Sequence, residues 1–161
     1  MNDKEKKTIL IVDDQPSSVH TLETLEDEYE VLVATDGKTA LELAERMPDL
    51  ILLDLNMSEE MNGFDLCKQL KKNRQTADIP IVFITILDNP VFIRRFYMSG
   101  GVDYIIKPLD VNVVKAIIKT HIYYYKSLFG IYQRTKKLNL DNQRILKQQI
   151  ISEFEEVLQI H

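Results

Sequence analysis

Asp13, Asp14, Asp54, Thr85 and Lys107 share one property: each closes a short apolar run. Ile9-Leu10-Ile11-Val12 ends in the acidic pair Asp13 and Asp14, and Leu50-Ile51-Leu52-Leu53 ends in Asp54. Ile81-Val82-Phe83-Ile84 ends in Thr85, and Tyr104-Ile105-Ile106 ends in Lys107 with Pro108 behind it. A short unbroken apolar run bounded by turn residues fits a strand buried on both faces, as in a parallel sheet. Parallel strands in register bring their carboxyl ends to one edge, where open α/β sheets bind their ligands. Three carboxylates gathered there repel one another and raise one another's pKa unless a cation joins them. Oxygen-only ligation of this kind suits Mg²⁺, which keeps several waters and takes one or two carboxylates with phosphate oxygens. Lys107 adds a second, fixed positive charge and Thr85 a hydroxyl donor. Cation, ammonium and hydroxyl are what an incoming phosphoryl group needs around its equatorial oxygens. Asp54 is then the candidate nucleophile, forming an aspartyl-phosphate. Taken singly, each residue has a plainer reading: Asp13 and Asp14 as a solvated turn, Asp54 as a helix cap, Thr85 as structural, Lys107 as a surface lysine. The combination at four successive strand ends carries the chemistry.

The elements that position these residues are legible as an alternation. After the Asp13–Asp14 pair, Pro16 suits a first helical turn, with Val19, Leu22 and Leu25 at helical spacing. Val31–Ala34 reads as a second strand, and Asp36-Gly37 opens a helix carrying Ala40, Leu41, Leu43, Ala44 and Met47, stopped at Pro48-Asp49. Past Asp54 a loop leads to a helix with Phe64, Leu66, Cys67 and Leu70. Asp88-Asn89-Pro90 starts a fourth helix and Ser99-Gly100-Gly101 stops it. Five strand–helix alternations with short connections predict a parallel sheet covered by helices on both faces, with right-handed crossovers.

The 161 residues make one domain with a helix to spare, and 45% hydrophobic and 28% charged residues are ordinary for a globular chain. A net charge of −5 gives no general attraction to nucleic acid or to an anionic membrane. The apolar runs fall far short of the roughly 20 residues needed to span a bilayer. Met1–Lys7 runs straight into a strand pattern, so no signal peptide is expected and a cytoplasmic location is. Cys67 is the single cysteine, which rules out an internal disulfide and a cysteine metal site; a small core residue is its expected role. His20, His121 and His161 lack metal-ligand spacing and are expected in solvated or capping roles.

From Ile9 to about Thr120 the sequence resembles the receiver domain of two-component response regulators. The matching stretches are Ile11-Val12-Asp13-Asp14, Leu53-Asp54-Leu55-Asn56-Met57, Asn62-Gly63, Ile84-Thr85, Gly100 and Asp103-Tyr104-Ile105-Ile106-Lys107-Pro108. The resemblance implies a flavodoxin-like fold with strand order 2-1-3-4-5. It implies that Asp54 accepts a phosphoryl group from a histidine kinase or phosphotransfer protein. Asp14 and Asp54 would ligate Mg²⁺ directly together with the backbone carbonyl of Asn56, and Asp13 mostly through water. Thr85 and Tyr104 match the switch pair that changes rotamer on phosphorylation, and Lys107 matches the phosphate-binding lysine. The peptide before Pro108 is commonly cis in the family. Two positions depart from the pattern: Ser58 stands where a proline is usual with Gly63 one residue late, and Ile86 follows the switch threonine in place of a small residue.

From Val111 onward no proline interrupts a helical pattern and Gly130 is the only glycine. The boundaries expected are a receiver over 1–126 and a helical stalk over 127–161. Ile131, Leu138 and Ile145 are spaced by seven, with Thr135, Asn142 and Gln149 as alternate seam positions, and Leu146, Ile150, Val157 and Ile160 mark a shifted seam. A parallel two-stranded coiled coil continuing the fifth helix is the reading favoured over a surface helix. Such stalks resemble those that join receivers to output domains making or degrading cyclic dinucleotides, or to kinase and phosphatase modules. Phe92, Phe96, Tyr97 and the run Tyr123-Tyr124-Tyr125 with Phe129 and Tyr132 add apolar bulk to the fourth and fifth helices, which predicts a homodimer through them and the stalk. Two other readings stay open at this point: a Mg²⁺-dependent phosphohydrolase, which would want a second acid beside Asp54, and a phosphorylation-independent interaction module of receiver shape.

Overall fold

The computed structural model describes residues 5–56, 62–86, 89–136 and 140–159, which form two compact units, Met1–Ile122 and Tyr123–His161. In the first unit β1 (Thr8–Val12), β2 (Glu30–Ala34), β3 (Leu50–Asp54), β4 (Ile81–Thr85) and β5 (Asp103–Ile106) alternate with helices. These are α1 (Pro16–Glu23), which runs on into a 3₁₀ turn Thr24–Asp27, α2 (Gly37–Ala44), α3 (Gly63–Lys72), α4 (Pro90–Ser99) and α5 (Val111–Lys136). All strand pairs are parallel, in the order β2-β1-β3-β4-β5, as the resemblance implied.

The unbroken apolar runs are central strands for a physical reason: every residue of β3 and β4 is buried, so neither face tolerates a charge until the strand ends. Alternate side chains feed two cores. Leu10, Val12, Ile51, Leu53, Ile81 and Phe83 pack with residues of α2, α3 and α4. Ile9, Ile11, Leu50, Leu52, Val82 and Ile84 pack with Leu22 and Leu25 and with Val114 and Ile118 of α5. Each fully buried aliphatic side chain contributes about 1.5–3 kcal/mol.

Caps fix where the helices begin. Asp36 accepts a hydrogen bond from the Thr39 N–H at 2.8 Å, Asn62 from Asp65 at 3.0 Å and Asn89 from Phe92 at 2.9 Å. Gly100, at φ 89°, closes α4 in the left-handed conformation that glycine adopts without strain. One expectation is corrected: α2 ends at Ala44, and Met47 lies past it with φ 57° and a half-exposed side chain rather than on the helix's apolar stripe. The Lys107–Pro108 peptide is cis.

The second unit differs from the single stalk read from the heptads. It holds the last part of α5 and a separate helix α6 (Leu140–Gln159). The Tyr124 and Phe154 rings sit 6.0 Å apart, and Leu128, Ile131 and Ile150 line one cavity with them, so the two helices run back along one another. Ile131 therefore faces Ile150 of its own chain, while Ile145, expected in the same seam as Ile131, is exposed. Leu138 lies outside the described residues. The compact units divide after Ile122, about one helical turn before the expected boundary at 126.

Candidate functional site

Strand register builds the site. Val12 pairs with Leu53 and Asp54 with Ile84, so β1, β3 and β4 end side by side. The Lys107 N–H donates to the Thr85 carbonyl at 2.8 Å, bringing the residue after β5 to the same edge. All four strand endings picked out in the sequence are thus brought together.

Asp13 and Asp54 are fully buried and Asp14 partly so, and one oxygen from each lies within 4.8 Å of the others. Asp13 Oδ1 accepts from the Gln15 N–H at 2.7 Å, and Asp54 Oδ1 from the Asn56 N–H at 2.9 Å. The Lys107 ammonium donates to Asp54 Oδ2 at 2.9 Å, almost out of solvent. Burial pushes the Asp13 carboxyl up to about 6, the neighbouring Asp54 carboxylate adds to the rise, and the Gln15 N–H opposes it. Asp13 Oδ2 is buried with no hydrogen-bond partner. One lysine does not balance three acids, and a buried carboxylate oxygen left without a donor is what a cation would satisfy. The residues therefore fit a divalent metal with oxygen ligands.

Thr85 is buried at the end of β4 and Tyr104 is half-buried on β5. The Tyr104 ring stands edge-on to Phe92 and to Phe96 of α4, at 5.1 and 5.2 Å. Ile86 is exposed. Ser58 lies outside the described residues, and Gly63 sits against Leu55, where an added Cβ would come within 2.9 Å of the Asp54 carbonyl. Cys67 is in the core.

Sequence reasoning missed two contacts. His121, expected in a solvated or capping role, is largely buried, with Nε2 2.9 Å from Asp103 Oδ2. Arg95 lays its guanidinium 4.4 Å from the centroid of the Phe64 ring. Neither pair has a spacing that a linear pattern exposes; only the fold brings them together.

The model of the response regulator receiver domain matches residues 9–119. A probable cyclic di-GMP phosphodiesterase of Vibrio cholerae is 38% identical over 124 residues, covering 76% of this chain and 28% of that protein. The response regulator PleD of Caulobacter vibrioides is 44% identical over 105 residues, covering 63% and 23% respectively. Among solved structures, the receiver domain of sensor histidine kinase PA1611 of Pseudomonas aeruginosa, described with a magnesium ion coordinated in its active-site cleft, superposes with a TM-score of 0.67. It is 25% identical and covers 73% of this chain and 98% of that one. The chemotaxis protein CheY4 of Vibrio cholerae gives a TM-score of 0.67 at 29% identity, covering 71% and 98%. The chain spans less than a third of the length of these curated relatives.

Proposed function

Because the chain belongs to the response regulator receiver family of two-component signalling, we propose that Asp54 accepts a phosphoryl group from a histidine kinase or phosphotransfer protein and relays the change through its switch residues. The observation that carries this reading is the buried Asp54 carboxylate, paired to Lys107 at 2.9 Å and clustered with Asp13 and Asp14. As the Asp54 carboxylate attacks phosphorus, a P–O bond forms and the donor's P–N bond breaks, its electron pair staying on the imidazole nitrogen. Lys107 would hold the charge that then spreads over the phosphoryl oxygens, and the Thr85 hydroxyl would donate to one of them. Mg²⁺ would be held by Asp14, Asp54 and the Asn56 carbonyl, with Asp13 acting through water, and when bound it supplies neutralisation of phosphoryl charge.

Withdrawal of Thr85 toward the phosphoryl group would leave room for Tyr104 to turn further inward, reshaping α4 and the edge of β5. Tyr97 and Met98 stand exposed on α4, Ile106 at the end of β5 and Val113 on α5; we read these side chains, and those of the helical extension, as a homodimer surface. The chain acts here as phosphoacceptor, in the cytoplasm, with no turnover of a free substrate. Among the described residues no helix is long and apolar enough to cross a membrane.

Intact mass before and after incubation with acetyl phosphate and Mg²⁺ tests the reading. One phosphoryl group on the native chain and none on Asp54→Asn is expected. Labelling that persists in Asp54→Asn moves the nucleophile elsewhere, and no labelling of the native chain leaves an interaction module of receiver shape.

A further inference from the structure

A cavity of about 430 Å³ opens beside the acid cluster, between the ends of β3 and β4 and the first turn of α4. Its size falls within the range of small-molecule sites, about 300–1,000 Å³. Leu55, Phe64, Val91 and Phe92 supply apolar walls. Asn56, Asn62, Thr85, Asn89 and Arg95 are the polar residues at its margin. Among the described residues Arg95 is the only charged one in the lining, and its guanidinium lies over the Phe64 ring. Asn56 also lines the cavity and carries a buried amide nitrogen with no hydrogen-bond partner. The first turn of α4 adds the positive end of a helix dipole through Pro90 and Val91. Apolar walls with an arginine and an amide donor and, among the described residues, no lining carboxylate complement an organic anion.

We propose that this cavity binds a small organic carboxylate, its apolar body against Phe64, Val91 and Phe92 and its anionic end toward Arg95. The site is wired to the switch, since Thr85 lines the cavity and Phe92 touches both the cavity and the Tyr104 ring. A ligand that contacts these side chains binds their two arrangements unequally, and by reciprocity phosphorylation changes its affinity. This coupling rests on the phosphoacceptor reading; the binding does not.

The test is a backbone-amide NMR titration of the full chain with 3-phenylpropionate and with its neutral amide, 3-phenylpropanamide. Saturable shifts at Asn56, Asn62, Val91 and Phe92 are expected, with the carboxylate about tenfold tighter than the amide. Arg95→Gln should erase that difference while the neutral amide binds as before. Equal affinity for acid and amide, shifts that never saturate, or indifference to Arg95→Gln each overturn the proposal. The titration is repeated after acetyl phosphate and Mg²⁺ with intact mass recorded. A mass gain with a severalfold change in affinity supports the coupling, and a mass gain with none removes it. Absence of a mass gain with binding intact overturns the phosphoacceptor reading and the coupling, and leaves the binding standing.

Discussion

Lys107 and Asp54 show how much rests on one side chain. Asp54 has no exposed surface, so its charge is tolerable only because an ammonium sits 2.9 Å away. Replacing Lys107 by Met leaves that charge buried beside two other acids, and a loss of about 3–5 kcal/mol is expected in urea unfolding. Asp54→Asn should cost the metal-free protein far less, because it removes a charge that repels Asp13. Mg²⁺ bound by the native acids alone would add about 2.7 kcal/mol at a hundredfold excess over its Kd. Thermal unfolding with and without the ion reads this gain directly, and Asp13→Asn or Asp14→Asn should shrink it. Gly101 carries a different constraint. A Cβ there would lie 2.5 Å from a Phe83 ring carbon and 3.2 Å from one of Phe96, so this glycine makes room for two large rings. Gly101→Ala should destabilise by about 1–3 kcal/mol through overpacking, and Gly101→Ala with Phe83→Leu should recover part of it.

At the scale of elements, β5 and α5 are tied by Asp103 and His121. Burial pushes the Asp103 carboxyl up, but the hydrogen bond from His121, the Tyr104 N–H and the imidazole's charge outweigh it and hold the group below its usual range. A carboxyl lowered on folding contributes stability that is fully present above its unfolded pKa, near 4, and is lost as pH falls through the lower folded value. Asp103 is more than a third exposed, so solvent screens the contribution to below about 1 kcal/mol. The stability gap between the native chain and His121→Ala should therefore close as pH falls below about 4. A gap that widens on acidification would show that the imidazole, not the carboxylate, carries the effect. This pair also marks where the sequence stops being readable. The strand ends were legible because each buried run breaks at a single polar residue, a local and one-dimensional signal. Asp103 and His121 are 18 residues apart on different elements, and neither looks unusual in its own window. Met47 continues the apolar stripe of α2 in sequence yet lies past its end, because a stripe does not show where the backbone turns left-handed.

For the whole molecule, the open question is what the chain beyond Ile122 does with its apolar side chains. Heptad spacing argues for pairing between chains, because it counts positions along one helix and is blind to a reversal. The fold supplies the reversal: α5 runs to Lys136, α6 spans Leu140–Gln159, and Tyr124 and Phe154 meet within one chain. Two helices alone bury little, and Ile145, Ile151 and Tyr123 remain exposed; the homodimer proposed above would cover them by pairing hairpins from two chains. The first unit needs none of this, since both of its cores close within residues up to Ile122. Truncation after Ile122 should accordingly leave its cooperative unfolding intact and weaken any self-association seen by sedimentation. Spin labels at positions 124 and 154 decide the geometry of the extension. A hairpin gives a short distance that survives dilution with unlabelled chain, because both labels belong to one molecule. A parallel stalk gives a long distance within each chain, about 45 Å for 30 residues of continuous helix. A long distance would restore the stalk.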